Sequence, residues 1–316
     1  MLDLIEKADR ITRKYHKKIT IERAVFLSWY CEKRDCKFCY MSTLNTSKKA
    51  KRTLDSVLAE VLICKNLNWN IEFLSGGYGV YSLKEIKEIA EKISEAYQKV
   101  WLNTGIMSKK EMEVFGDGIK GVTGSLETFD FDLHRVICPS KPFSKVLEML
   151  EDAKDLGFKT AITIILGLGE KKEKLDNLFS IIRDYKIDRV TFYALNPQKN
   201  TIYEKFPSPS SLYYSEIVAR TRIEFPKLEI ITGIWIDKIS MIGLLLLSGS
   251  DGITKFPMKS LLENYANFKE EIEYTAELQG RSFEARFRID KEKLEEDLKK
   301  YEKNIKEKVK QYLGVI

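Results

Sequence analysis

The chain has 316 residues, 44% of them hydrophobic, so it can bury one barrel-sized core or two smaller ones. Its net charge of +6 comes from 53 basic and 47 acidic residues spread along the chain, which argues against nucleic acid as the main partner. The longest apolar run is too short to cross a bilayer and the first residues carry no cleavage site, so we expect a cytoplasmic protein without membrane contact.

From Ala24 onward, short β-branched or aromatic runs alternate with helical patterns, which predicts βα units and a parallel sheet. Eight strands are predicted, at 24–30, 71–76, 99–104, 121–127, 159–167, 189–195, 228–233 and 251–256. Eight such repeats are what a closed (β/α)8 TIM-type barrel requires, and these barrels carry their chemistry in the loops after the strands. Periodicity alone leaves a doubly wound open sheet as the alternative.

Helical extensions are predicted on both sides of this barrel. We divide the chain into an N-terminal helical extension (1–23), the barrel (24–267) and a C-terminal helical extension (268–316). Apolar residues recur every three or four positions over 291–313, which predicts one amphipathic helix. Its narrow apolar stripe and mixed charges favour packing along the barrel over a coiled coil or a membrane-surface helix.

Three of the five cysteines, Cys31, Cys36 and Cys39, lie together directly after the first predicted strand. An odd number of cysteines without disulfide-like spacing fits a reducing compartment, where clustered thiols bind metal or catalyse. Three thiolates can bind three irons of a [4Fe–4S] cluster and leave the fourth iron open to a substrate or cofactor.

Three alternatives remain open for the spacing Cys-x4-Cys-x2-Cys. A zinc site needs a fourth ligand, for which Cys64, Cys138, His16 and His134 are available. A plant-type [2Fe–2S] cluster uses the same spacing and a distant fourth cysteine, nominally Cys64, although Cys64 lies in a helical run and is more typical of a core residue. The third alternative is a loop that binds no metal.

A cysteine triplet after the first strand of a βα barrel, with the aromatic Phe38 inside the final Cys-x2-Cys, resembles the radical S-adenosylmethionine (radical SAM) enzymes. The usual first gap there is three residues, and here it is four. The resemblance implies a [4Fe–4S] cluster on the three cysteines and S-adenosylmethionine (SAM) on the open iron, with Phe38 among the SAM-binding residues. It also implies an electron donor such as ferredoxin or flavodoxin, and a 5′-deoxyadenosyl radical that abstracts hydrogen from a small molecule in the barrel.

Later motifs resemble biotin synthase-like members of this superfamily and imply further SAM contacts. Gly76 and Gly77 in "FLSGGYG" correspond to the glycines that bind the amino group of SAM. A tight turn without a ligand is the alternative for this pair. Ser125 and Glu127 in "GSLETFD" correspond to the polar pair around the ribose.

Counting on without a gap, Lys145 falls where biotin synthases carry an arginine facing the methionine carboxylate. Ile165 and Gly167 in "ILGLGE" correspond to the segment that closes around adenine. After the sixth strand, Asn200 replaces a family glycine, and asparagine tolerates a left-handed backbone better than most residues.

One departure excludes biotin synthase itself. Its second iron–sulfur cluster uses cysteines near strands two, three and five, where this chain reads "FLSGG", "WLNTG" and "TAITI". We therefore expect hydrogen abstraction in cofactor biosynthesis, such as sulfur insertion of the lipoyl type, hydrogenase-cofactor maturation or a carbon-skeleton rearrangement. The alternative function is a non-catalytic iron–sulfur or zinc protein with Cys64 as the fourth ligand.

Two residues after the fourth predicted strand are candidate catalytic groups. Cys138 lies at the expected mouth of the barrel, where it could be a substrate-side thiol, a hydrogen-atom donor or a ligand of a second metal. His134 could reach the same mouth. For both residues an inert loop position is the alternative.

Overall fold

The computed structural model describes residues 1–44, 50–254, 258–263 and 265–315. The strands are β1 (Lys18–Phe26), β2 (Asn70–Ser75), β3 (Trp101–Asn103), β4 (Gly121–Glu127), β5 (Lys159–Leu166), β6 (Arg189–Ala194), β7 (Glu229–Gly233), β8 (Gly252–Thr254) and β9 (Ser282–Phe283). Strands β1 to β8 follow one another in parallel, and β1 pairs with both β2 and β8. The sheet is therefore closed, which confirms the TIM-type barrel and excludes the open doubly wound sheet.

Helices alternate with the strands and cover the outside of the barrel. They are α1 (Leu2–Tyr15), α2 (Leu54–Leu67), α3 (Leu83–Ala96), α4 (Lys109–Glu113), α5 (Phe131–Ile137), α6 (Phe143–Asp155), α7 (Leu175–Asp184), α8 (Ser211–Glu224), α9 (Ile242–Leu247), α10 (Met258–Glu263), α11 (Tyr265–Gln279), α12 (Lys291–Leu298) and α13 (Lys303–Val315). Helix α6 ends just before Gly157, whose φ of +79° is the left-handed conformation that glycine adopts most easily. No helix in the described part of the chain has the length and apolar character needed to cross a membrane.

Three boundaries differ from the sequence-based prediction. Strand β1 begins at Lys18, so residues 18–23 are strand and not the end of a helical extension. The predicted helix over 291–313 is two helices, because a turn closed by the bond from Tyr301 N to Leu298 O separates α12 from α13. Both helices contact α2, and Leu294 of α12 and Val309 of α13 are buried. Strand β8 ends at Thr254, and the last two residues of the predicted strand 251–256 lie outside the described residues.

The lower part of the barrel, toward the N-terminal ends of the strands, is filled by paired polar side chains. Arg189 donates to Glu22 Oε2 at 3.3 Å and to the two carboxylate oxygens of Glu229 at 2.6 and 2.7 Å. Above this group, fully buried Glu72 accepts hydrogen bonds from Tyr193 Oη at 2.5 Å and from Thr254 Oγ1 at 2.6 Å. Because buried charges are stable only when paired, this packing closes the lower end and leaves the open space at the C-terminal ends of the strands.

The barrel closes between its first and last strands over a short distance. Described residues of β1 and β8 pair only at Thr20↔Gly252 and Ile21↔Ile253. Beside the upper half of β1, four side chains form a seam network: Arg23 Nε donates to Glu60 at 2.7 Å, Arg52 donates to Glu60 at 2.6 Å, and Arg52 donates to Tyr312 Oη of α13 at 2.6 Å. The C-terminal helix α13 therefore covers this part of the barrel wall.

Candidate active site

A cavity of about 980 Å³ lies at the C-terminal ends of the barrel strands. Nine of the residues that sequence analysis proposed line it: Cys31, Cys36, Phe38, Cys39, Gly76, Gly77, Ser125, Glu127 and Ile165. The cavity thus brings together residues from the loop after β1 and from the ends of β2, β4 and β5. A pocket of this size can accommodate a cofactor and a small substrate.

The three clustered cysteines occupy the loop after β1 as half-buried free thiols. A hydrogen bond from Cys39 N to Cys36 O, at 3.1 Å, makes the turn that brings two of them close together. Burial raises the pKa of the Cys39 thiol to about 11, whereas a hydrogen bond with the Cys138 thiol lowers the pKa of Cys36. The loop therefore presents thiols that differ in proton affinity to one cavity.

The paired glycines after β2 pack against this cysteine loop. A Cβ atom on Gly77 would lie 1.8 Å from Tyr30 O and 2.5 Å from Cys31 Cα, closer than any real contact. A Cβ atom on Gly76 would lie 3.6 Å from Leu27 Cβ, which is ordinary van der Waals contact. Gly77 is thus required for the close approach of two backbones, and it fixes the position of the loop that carries Cys31.

Glu127 ends β4 in a strained conformation that directs its carboxylate to the cavity. Its φ is +64°, which costs a non-glycine residue about 1–2 kcal/mol, and the pairing register with β5 shifts between Ser125 and Glu127. Ser125 Oγ donates to Asn103 Oδ1 at 2.7 Å. Strain of this kind is typical of functional sites, where the surrounding structure enforces it.

The cation beside this carboxylate is Lys141, which sequence analysis missed. Lys141 lines the cavity, and its Nζ lies 2.6 Å from Glu127 Oε1. Burial alone would lower the pKa of Lys141, but the negative charge of Glu127 and the neighbouring thiols raise it above its ordinary value. Lys145, the predicted carboxylate-binding residue, is on the exposed face of α6, pairs with Glu148 at 2.6 Å and does not line the cavity. The residue count therefore reaches a surface lysine, whereas the lysine that faces the cavity, Lys141, lies earlier in the chain.

The two candidate catalytic residues are buried behind the cysteine loop. Cys138 is 1% exposed and packs with its thiol against Cys36, and it is not among the residues that line the cavity. His134 is also 1% exposed and does not line the cavity. Its ring packs edge-on against that of Phe143, with the two ring centroids 4.9 Å apart. Burial and the charge of Lys141 lower the pKa of His134 to about 4. Neither side chain contacts the space in which a substrate could bind.

The segment after β5 is divided between two hollows. Ile165 lines the main cavity, whereas Gly167 lines a separate hollow of about 330 Å³ together with Pro209 and Tyr213. Gly167 has a φ of +97° and donates its N–H to the Glu170 carboxylate at 2.9 Å. The predicted adenine contact at Gly167 therefore lies outside the main cavity.

Asn200 has a φ of +64°, which confirms the left-handed backbone expected where it replaces a glycine.

Two of the other predicted metal ligands are held elsewhere in the fold. Cys64 is fully buried on α2 in the main hydrophobic core, and burial strongly raises the pKa of its thiol. His16 follows α1, with its Nδ1 atom 3.0 Å from Asp251 Oδ1 and its Nε2 atom 2.9 Å from Pro226 O. Among the described residues, no group of three or more His, Cys, Asp or Glu side chains could hold a single metal ion. Because Cys64 lies in the main core on α2 and not in the cluster that contains Cys36, the geometry does not support a site closed by Cys64.

Comparisons with known proteins agree with this geometry. The family model described as "Radical SAM superfamily" matches residues 30–182, which include the cysteine loop and strands β2 to β5. The uncharacterized protein MJ0597 of Methanocaldococcus jannaschii is 47% identical over 268 residues, which cover 83% of this chain and 74% of that protein. A biotin synthase of Methanococcus maripaludis is 27% identical over 182 residues, and the match spans about half of each protein, 55%.

A solved structure, that of methylornithine synthase (PylB), has the same fold. It superposes with a TM-score of 0.73 and 20% identity, covering 92% of this chain and 91% of that chain. Cysteine loop, closed barrel, family match and homologues lead to one conclusion. The chain belongs to the radical SAM superfamily and is an enzyme of that class, with biotin synthases among its homologues.

Proposed function

We propose that the protein binds a [4Fe–4S] cluster through Cys31, Cys36 and Cys39, binds SAM at the open iron, and abstracts hydrogen from a small molecule in the barrel during the biosynthesis of a cofactor. Superfamily membership implies both the cluster and SAM. The observation that carries the proposal is the position of the three half-buried thiols on one loop facing a cavity of about 980 Å³. Three thiol donors fit three irons and leave one iron for SAM.

The bound cluster and SAM would supply one-electron reductive cleavage of SAM to a 5′-deoxyadenosyl radical, with the electron coming from a ferredoxin or flavodoxin. The protein holds and orients the reactants. Lys141 offers a cation for the methionine carboxylate, and Glu127 and Ser125 offer hydrogen-bond acceptors for the ribose hydroxyls. Lys141 Nζ and Glu127 Oε1 are already paired at 2.6 Å. SAM would therefore replace this ion pair, with its carboxylate at Lys141 and its ribose hydroxyls at Glu127.

The wall below these residues combines apolar and polar side chains. Ala24, Phe26 and Phe73 offer apolar surface, whereas Thr123, Arg23 and Glu60 carry polar or charged groups. The small substrate should therefore carry both apolar and polar groups. At the strand ends where biotin synthases carry cysteines of a second cluster, the cavity is lined by Ser75, Asn103 and Thr163. Sulfur insertion from a protein-bound second cluster is therefore not part of the proposal.

Anaerobic reconstitution with iron and sulfide, followed by dithionite and SAM, tests this function. We expect about four irons per chain and formation of 5′-deoxyadenosine. Cys36→Ala should lose most of the iron, whereas Cys64→Ala should keep it, because Cys64 lies in the hydrophobic core. A cluster-loaded protein that never forms 5′-deoxyadenosine would reject the radical reaction. Equal iron loss in both variants would favour a closed, non-catalytic site.

A further inference from the structure

The segment 137–140, which follows β4, holds the cysteine loop from behind. It does so through three contacts: Lys37 N donates to Ile137 O at 2.9 Å, Ser140 Oγ donates to Asp35 Oδ1 at 2.8 Å, and the Cys138 side chain packs in the same apolar cluster as Cys36. Two of these contacts flank Cys36 in sequence, and the third involves its side chain. The position of the Cys36 sulfur is therefore set by this segment as well as by its own loop.

The surroundings of Cys138 favour a thiol that keeps its proton. Its side chain is 1% exposed and packs in an apolar cluster with Ile137, Leu168, Leu195 and Tyr203. A cysteine that binds iron does so as a thiolate, which can only accept a hydrogen bond. Of the two sulfurs, Cys138 is therefore the donor and Cys36 the acceptor.

We propose that Cys138 is a positioning residue that donates a hydrogen bond to the Cys36 sulfur when Cys36 binds the cluster, and that this bond makes the cluster easier to reduce. The inference rests on the proposed function. Added electron density in a reduced cluster is partly carried by the ligand sulfurs, so a donor stabilises the reduced form more than the oxidised form. Partners of metal ligands commonly tune a site in this way.

Two other roles are less compatible with the geometry. Cys138 does not line the cavity, so its thiol cannot reach a substrate radical there. A ligand of the fourth iron would have to reach the cavity in which SAM is proposed to bind, and Cys138 does not line that cavity. These roles predict different losses on removal of the thiol: lost product in the first case and lost iron in the second.

Redox titration followed by electron paramagnetic resonance, without SAM, tests the inference on wild type, Cys138→Ala, Cys138→Ser and Cys64→Ala. Cys138→Ala should keep the iron content of the wild type and show a more negative midpoint potential. Cys138→Ser should remain at or above the wild-type potential, because its hydroxyl also donates a hydrogen bond. Cys64→Ala is the matched control, since it removes another buried thiol from a different hydrophobic cluster than the one that contains Cys36, and it should leave the potential unchanged.

An unchanged midpoint potential in Cys138→Ala would overturn the inference. A Cys138→Ser potential as negative as that of Cys138→Ala would also overturn it, because the shift would then come from lost packing and not from a lost hydrogen bond. If Cys138→Ala retains no cluster, the serine variant decides: a potential at or above wild type supports the donor, and a more negative one refutes it. A wild type without a reducible [4Fe–4S] signal would overturn the proposed function, and this inference with it.

Discussion

Replacing Gly77 by alanine should displace the cysteine loop and prevent stable cluster binding. The new Cβ would lie 1.8 Å from Tyr30 O, and the carbonyl must retreat by about 1.6 Å to reach the 3.4 Å at which ordinary contact begins. Both close contacts are to backbone atoms, so no flexible side chain can relieve them. Overpacking of this kind costs about 1–3 kcal/mol of folding free energy. A displacement above 1 Å also far exceeds the roughly 0.2 Å tolerance of metal–ligand distances.

Gly76→Ala is the matched control, because its Cβ would meet Leu27 Cβ at 3.6 Å and Ser28 N at 3.7 Å. Both variants should be compared with the wild type by urea unfolding of the metal-free protein and by iron and sulfide content after anaerobic reconstitution. We expect the free energy of unfolding of Gly77→Ala to fall by about 1–3 kcal/mol and most of its iron to be lost. Gly76→Ala should keep the stability and the iron content of the wild type. If Gly77→Ala bound as much iron as Gly76→Ala, the steric argument would be wrong.

Three further substitutions follow from the buried contacts. Lys141→Met should cost about 3 kcal/mol in urea unfolding, because it leaves Glu127 buried without its cation, whereas Lys145→Met on the surface should cost almost nothing. The pKa of His134 is about 4 in the folded protein, against an ordinary value of 6.5. Above pH 6.5 the imidazole is neutral in both states. As the pH falls from 6.5 toward 4, the unfolded state binds a proton that the folded state does not, so the free energy of unfolding decreases. The wild type should therefore lose about 2 kcal/mol more than His134→Phe between about pH 7.5 and pH 5. Tyr312→Phe should cost about 1 kcal/mol, because it removes a hydroxyl bonded at 2.6 and 2.9 Å.

For each of these variants, one result would contradict the argument behind the prediction. Equal unfolding free energies for the two lysine variants would mean that the buried ion pair contributes nothing net. Parallel pH profiles for the wild type and His134→Phe would mean that the imidazole titrates at its ordinary value. An unchanged stability in Tyr312→Phe would assign the docking of α13 to its apolar stripe alone.

The strands were predictable because their cause is local. Parallel strands buried on both faces show as short β-branched runs, and the eight runs in this chain correspond to β1 through β8. The three cysteines were predictable because their spacing within one loop carries the chemistry. In contrast, the choice between Lys141 and Lys145 depends on where α6 begins after the loop, and a residue count cannot show this.

Other features depend on contacts between distant parts of the chain. Gly77 belongs to a motif associated with ligand binding, but the contact that requires a glycine is with the backbone of Tyr30. Tyr312 lies next to the apolar stripe of a helix that reads as an ordinary amphipathic segment. Its bond to Arg52 joins residues 260 positions apart, and no local pattern encodes such a pair. The same holds for the thiol pair of Cys36 and Cys138.

The seam beside β1 has a consequence for the order in which the enzyme matures. Its bond between Arg52 and Tyr312, and the pairing of β1 with β8 next to it, join residues more than two hundred positions apart. Contacts of such long range form late in folding. During synthesis the cysteine loop leaves the ribosome long before α13, so its thiols meet iron and sulfide carriers while the flank of the barrel is still uncovered. Cluster insertion is thus expected to be easiest in the nascent or partly folded chain, and refolding the metal-free protein in the presence of iron and sulfide should load it more completely than adding them afterwards.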